Sequence, residues 1–401
     1  MRGRKMADKN GRYTKGIIDI GTNSCRLFIA EVLKNEKGIN ILNELVKEVE
    51  IVKLGEGVNQ NHYLKEEAIE RTIQCLKKYK KTANEYEVKE LKAFATSATR
   101  DAENREIFLK KVEDLGIEIK CISGEEEAGL NFLGNSLVFD ERILVVDIGG
   151  GSTEFTLGKN DKIDFIKSID IGAVRATEKF FSQENYSEEN IEKCIEWVKE
   201  NIQEIKKIKN EKFRTVGVAG TATTQISVKK KMEIYNSQEV HMSEISVKEL
   251  EDNLRLFISK NLEERKEIIG LEPKRADVII AGTVILITIL KELNKDEIIV
   301  SESDNLTGAM IKEEKMSERL EWILEAYESF RRSSERRLVA GNIFDYFMQD
   351  FRGEISDAYD PATKEEIKED IKEMADIIYN EEDKHKREFL VKILVNIVKM
   401  L

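Results

Sequence analysis

The stretch VVDIGGGSTEFTLG, residues 145–158, repeats the plan of IIDIGTNSCRLFIA, residues 17–30. At an offset of 128 residues, Asp19 matches Asp147, Ile20 matches Ile148, Gly21 matches Gly149 and Ser24 matches Ser152. In each copy an apolar strand delivers an aspartate to its end, and glycine and small hydroxyl residues then turn the chain into a second strand. Such a turn presents backbone N–H groups to a phosphate. An aspartate beside that phosphate suits a hard cation that prefers oxygen ligands. Two such loops in two α/β segments predict a cleft between related halves.

Working outward from the repeat, residues 16–139 mix apolar strand runs with a helical stretch from Glu66 to Lys81. Residues 140–310 start again at ILVVDIGGGSTEF and return to strand-like runs at TVGVAGTATT and RADVIIAG. The predicted class is α/β, with a first domain over 16–139 and a second over 140–310. Beyond residue 310 only Gly341 and Gly353 remain of the 23 glycines, and charged amphipathic runs predict an all-helical extension over 311–401, with a helix boundary at Asp360-Pro361. Residues 1–15 read as a basic, frayed leader with no apolar stretch of a signal peptide.

Composition narrows the function classes. The 401 residues carry 65 basic and 77 acidic side chains, a formal charge of −12, with 41% apolar residues. That is core material for two or three domains, and it argues against a disordered chain or a generic nucleic-acid coat. An anionic substrate then needs a localised receptor. The apolar run VIIAGTVILITIL, Val278 to Leu290, is too short to span a bilayer as a helix and is expected to be buried. Cys25, Cys75, Cys121 and Cys194 have neither metal nor disulfide spacing, and the expected compartment is the cytoplasm. No membrane partner and no sequence-specific nucleic acid are expected, and a homodimer is the assembly to test.

Candidate site residues follow from the turns. Thr22, Asn23 and Ser24 in the first loop, and Gly149, Gly150, Gly151 and Ser152 in the second, are expected to bind phosphate; the triple glycine leaves the backbone open to an oxyanion. Asp19 and Asp147 are candidate metal ligands, joined by Glu154 on the outgoing strand of the second hairpin. Gly220 and Thr221, in GVAGTATT, form a third turn. AFATSATR places Thr96, Ser97 and Arg100 after an apolar run, as hydroxyls and a guanidinium for the same oxyanion. In CISGEEEAGLNFL, Glu125, Glu126 and Glu127 open a helix; acids are ordinary there, yet one of them in the cleft would position a water.

DIGTNSCRL, ATSATR, ISGEEEAGL, VVDIGGGSTEF, VAGTATT and GLEPKRADVIIAG occur in that order over residues 16–310, and as a set resemble the exopolyphosphatase and guanosine pentaphosphate phosphatase (Ppx/GppA) family. The resemblance implies two duplicated actin-like, ribonuclease H-like domains of the type shared with acetate kinase and the sugar kinases. It implies hydrolytic release of terminal phosphate from inorganic polyphosphate or pppGpp, with Mg²⁺, or Mn²⁺ in its place. The glutamate before the alanine of the family's SG-x-EEA segment, catalytic there, maps to Glu127; the aspartate and glutamate of its DIGGGSTE segment map to Asp147 and Glu154.

Two departures stand out. Where the family commonly reads S-x-x-G-L-R-E-G this chain has SESDNLTGAM, so Asn305 and Thr307 replace glycine and arginine. With only His62, His241 and His385, the extension lacks the His-Asp metal motif of longer relatives, and Arg331, Arg332, Arg336 and Arg337 are either guides for a polyanion or a solvated helix face. Polyphosphate is preferred over pppGpp because no guanosine pocket is evident. An actin-like nucleotide-binding regulatory module and a phosphotransferase are the rival readings.

Overall fold

The computed structural model describes residues 12–35, 38–160, 162–181 and 185–312. The expected helical extension, its arginines and most of the leader lie outside them.

The first sheet is built from β1 (Arg12–Ile20), β2 (Ser24–Asn35), β3 (Gly38–Ile51), β4 (Glu90–Ala95) and β5 (Glu118–Cys121), in the order β3-β2-β1-β4-β5. β1, β2 and β3 form an antiparallel meander, and β4 and β5 continue the sheet parallel to β1. β1 begins at Arg12, four residues before the expected opening, because Arg12 to Lys15 pair with Leu33 to Ala30. The second sheet contains β6 (Ile143–Ile148), β7 (Thr153–Lys159), β8 (Lys162–Ile169), β9 (Arg214–Val218), β10 (Ser243–Ser246) and β11 (Glu297–Val300), in the order β10-β11-β9-β6-β7-β8. Its meander is β6, β7 and β8, with β9 and β11 parallel to β6 and β10 added antiparallel at the edge. From the meander edge both sheets therefore run third, second, first, fourth; the first ends on its fifth strand, the second on its sixth and then its fifth.

Every side chain of β6 is buried, as an unbroken ILVVDI run demands of a strand covered on both faces. The expected buried run is buried from Ile279 to Leu290, with Val278 half-buried, but RADVIIAG is not strand-like: Ile279–Glu292 is a helix. A helix packed on all sides is apolar all round, so periodicity alone cannot separate it from a buried strand. It lies in the core with Leu144, Val146, Phe155 and Ile226.

The helix Gly124–Ser136 joins the two halves. Its Leu130 packs into a cluster with Ile17 and Phe28 of the first sheet, and its Phe132 packs with Ile143, Val145 and Val216 of the second. A returning helix, Asn305–Ile311, locks it in place through two glycines. A Cβ at Gly134 would stand 2.6 Å from the Asp304 carbonyl oxygen, and one at Gly308 would overlap the Leu130 carbonyl. Asn305 and Thr307 of the family departure thus belong to the element that holds this helix. Among the described residues, no helix is long and apolar enough to cross a membrane.

Candidate active site

β1, β4, β6 and β9 each end in a turn that faces one cavity of about 920 Å³. Asp19, Thr22, Asn23, Ser24, Thr96, Ser97, Glu127, Asp147, Gly149, Gly150, Gly151, Ser152, Gly220 and Thr221 line it; of the expected site residues, Arg100 and Glu154 stand behind its wall. The two hairpin loops close in the same way. The Gly21 N–H donates to the Ser24 carbonyl at 2.9 Å, and the Gly149 N–H to the Ser152 carbonyl at 3.0 Å.

The triple glycine has a second reason besides access for an anion. A Cβ at Gly150 would lie 2.8 Å from Thr22 Cβ, and one at Gly151 would sit 3.1 Å from both Thr22 Oγ1 and Ser97 Cβ and overlap Ser97 Oγ. The second loop is pressed against the first loop and against Ser97, so any side chain would wedge the halves apart. Gly151→Ala is expected to cost about 1–3 kcal/mol of stability through this overpacking. Urea unfolding measures it, and a neutral substitution would show that the loops do not meet in solution.

Glu127, Asp147 and Glu154 form the chemical centre. Asp147 and Glu154 are directly opposed across the β6–β7 pairing, which is why a seven-residue spacing brings them together. Ser123 caps the helix Gly124–Ser136 by accepting from the Glu126 N–H, and Glu126 reaches back to the Ser123 N–H at 2.8 Å. Of the three glutamates, Glu125 is exposed, Glu126 is committed to the capping box, and Glu127 points inward. One oxygen from each of Glu127, Asp147 and Glu154 lies within 4.8 Å of the others. All three residues are at most 8% exposed, and Glu127 Oε2, Asp147 Oδ1 and Glu154 Oε2 have no hydrogen-bond partner.

Burial and mutual repulsion push the trio toward neutrality. Burial, followed by the charges of Glu154 and Asp147, holds Glu127 well above the usual carboxylate range. Burial and Asp147 push Glu154 up to about 8, against the pull of the Ser152 and Ser168 hydroxyls. Burial raises Asp147 to about 6 even though Arg26 and Asn131 oppose the shift. Orphaned hard oxygens in one buried place fit a divalent cation, which removes the repulsion. Because the folded values are raised, the metal-free protein is favoured at low pH and loses that stability as pH rises from the ordinary carboxylate range to about 6 for Asp147 and about 8 for Glu154. Chelator-treated protein is therefore expected to melt at a lower temperature toward alkaline pH, and Mg²⁺ to restore more there than at acidic pH. Scanning calorimetry with and without Mg²⁺ checks this; a flat or rising profile overturns it.

Asp19 is not brought into the trio. Arg26 faces it across β1–β2, the register that Glu154 occupies opposite Asp147, and donates to Asp19 Oδ2 from Nε at 2.9 Å. Arg26 also pairs with Asp304 and donates to Asn305 Oδ1 at 2.6 Å, while Asn305 reaches Asp19 Oδ2 at 3.4 Å. The first half therefore has an arginine where the second has a glutamate, and one carboxyl face of Asp19 is spent on it. Against the cost of burial, Asp304 and Asp19 keep Arg26 charged. Asn305, the departure from the family pattern, is a working member of this network.

Arg100 approaches Glu127 Oε2 at 3.9 Å while donating to the Ile122 carbonyl at 2.9 Å, which makes it a flanking charge for Glu127. Ser97 Oγ donates to Asp101 at 3.4 Å, and the Thr96 N–H donates to the Ile20 carbonyl at 3.1 Å. Thr221 Oγ1 donates to the Ile148 carbonyl at 2.9 Å, tying the third turn to the end of β6. That turn holds Ala219 at a φ of 60°, and Gly220 packs directly under the Arg275 guanidinium. Arg26 and Arg275 also line the cavity without a motif of their own: Arg26 follows a loop read for its glycine and hydroxyls, and Arg275 opens the run RADVIIAG, read as strand-like. The seven-residue Asp19–Arg26 spacing, identical to Asp147–Glu154, was the available signal for the first.

Comparisons with known proteins point to one family. The family model described as "Ppx/GppA phosphatase family" matches residues 31–314. A bifunctional 3-dehydroquinate synthase/phosphatase of Fusobacterium nucleatum is 54% identical over 319 residues, covering 77% of this chain but 48% of that protein, so the chain spans about half of that relative's length. Exopolyphosphatase 2 of Mycobacterium tuberculosis is 32% identical over 310 residues, 73% of this chain and 95% of the relative. Among solved structures, the Aquifex aeolicus PPX-GPPA enzyme superposes with a TM-score of 0.63 at 34% identity, covering 75% of this chain and all of that one.

Proposed function

The chain belongs to the Ppx/GppA phosphatase family, and from that premise we propose that it is an exopolyphosphatase that releases terminal orthophosphate from inorganic polyphosphate with the help of Mg²⁺. The observation that carries the reading is the buried trio Glu127, Asp147 and Glu154, with three unpartnered oxygens beside glycine loops in a cavity large enough for several phosphate groups. The shared order of the first four strands in the two sheets supports an actin-like pair of domains.

Asp147 and Glu154 would hold the cation, which supplies positive charge to offset the repulsion between an attacking water and a polyanion. Glu127 orients the water toward the terminal phosphorus and accepts its proton. Backbone N–H groups of Thr22 to Ser24 and of Gly150 to Ser152 hold the transferred and the leaving phosphates. Arg100 steadies Glu127 from behind, and Arg275 sets a positive potential along the cavity wall. The formal charge of −12 is thus countered locally, by loops, cation and two arginines.

Phosphate release measured side by side on long-chain polyphosphate, short-chain polyphosphate, pppGpp and ATP tests the reading. Mg²⁺-dependent release from polyphosphate is expected to dominate. Dominant release from pppGpp would install the second reading, a pppGpp phosphohydrolase, which the Tyr235 ring on the cavity wall favours as a platform for a base. No release from any of the four would return the chain to a nucleotide-binding regulatory role or to phosphotransfer.

A further inference from the structure

Asp147 and Glu154 each have one oxygen tied down and one left free. Asn131 Nδ2 donates to Asp147 Oδ2 at 2.8 Å, and Asp147 Oδ1 is without a partner. Ser168 Oγ donates to Glu154 Oε1 at 2.8 Å, and Glu154 Oε2 is without a partner. The free oxygens belong to the groups that converge within 4.8 Å.

We propose that Asn131 and Ser168 are positioning residues of this site, each occupying one carboxylate oxygen so that Asp147 and Glu154 offer a cation one fixed oxygen apiece. The inference rests on the metal reading above and goes beyond it by assigning residues that touch neither cation nor substrate.

The surrounding fold supports the assignment. Asn131 is 1% exposed and lies four residues after Glu127 on the helix Gly124–Ser136, so one face of one helix carries both the glutamate and the donor to Asp147. Its amide is held in an interior where rotation away from Asp147 would strand a buried donor. Ser168 sits opposite Glu154 in the β7–β8 pairing. It fits there because residue 124 is glycine: a Cβ at Gly124 would overlap both Oγ and Cβ of Ser168. The glycine at the start of the helix that carries Glu127 therefore preserves the hydroxyl that orients Glu154, and all three carboxylates are referenced to that helix. Hydrogen bonds to the remote oxygen of a ligating carboxylate fix its rotation, and losing them weakens metal affinity roughly 10–100-fold.

The test is titration of the full chain with Mn²⁺ alone, free ion being counted by electron paramagnetic resonance, for wild type, Asn131→Leu and Ser168→Ala. Asn131→Leu keeps the side-chain volume and Ser168→Ala removes a single oxygen. Each is expected to weaken Mn²⁺ binding roughly 10–100-fold. In phosphate release, the Mg²⁺ concentration for half-maximal rate is expected to rise by the same factor, with kcat recovering as Mg²⁺ is raised. Gly124→Ala, which displaces Ser168 without removing its hydroxyl, is expected to reproduce Ser168→Ala. Wild-type binding with unchanged affinity in the variants, or a loss of kcat that Mg²⁺ does not recover, overturns the positioning role alone. Failure of the wild type to bind Mn²⁺ overturns the metal reading and this inference together.

Discussion

Glu127→Gln is expected to lower phosphate release by about 10²- to 10⁴-fold, the range for removing a positioned general base, while substrate remains bound. The amide keeps the volume of the carboxyl, so the helix Gly124–Ser136 and its capping box are undisturbed. What is lost is a proton acceptor in a place where burial and two neighbouring carboxyls already raise proton affinity. Binding by the glycine loops does not pass through Glu127, so the affinity for a non-hydrolysable polyphosphate analogue is expected to stay within a few-fold. Rapid-quench measurement of kcat, paired with equilibrium binding, separates the two. A variant with unchanged kcat would remove Glu127 from the base role, and one that loses Mn²⁺ binding along with kcat would move it into the ligand set with Asp147 and Glu154.

Asp147→Asn is expected to abolish the Mg²⁺ dependence of whatever activity survives and to lower kcat by about 10²- to 10³-fold, the equivalent of several kcal/mol of lost charge compensation. Glu154→Gln is expected to act in the same direction. Both substitutions have an opposite effect on the metal-free protein. Each removes a carboxyl that resists ionisation in the folded state, so the loss of stability on raising the pH from the ordinary carboxylate range to about 8 shrinks. Lower activity together with a flatter stability profile is a combination that simple misfolding does not produce. An unaltered metal dependence would count against ligation by the substituted residue.

The chemistry-bearing parts of this chain were legible to very different degrees. The two Asp-x-Gly loops could be read because a strand, an aspartate and a glycine turn are local and recur at a constant offset. Glu154 was legible because a tight hairpin makes spacing equivalent to facing, and the register pairs it with Asp147. Glu127 could not be separated from Glu125 and Glu126 by composition; the capping box and burial separate them, and both depend on where the helix lies. Asp19 shows the limit from the other side. By local pattern it equals Asp147, yet a single register position carries Arg26 in one half and Glu154 in the other, and Asp304, brought back from the far end of the second segment, completes a different electrostatic solution.

By itself the sequence determined the α/β class, the two glycine-turn loops and the Asp147–Glu154 hairpin, since each depends on contacts a few residues apart. Only the tertiary structure decided that Glu127 joins those carboxylates while Asp19 is held by Arg26, that Gly150 and Gly151 exist to let two loops touch, and that Asn131, Ser168, Asn305 and Arg275 take part. These depend on which residues meet across long chain separations. A buried charge or an orphaned oxygen has meaning only through the neighbours that the fold supplies.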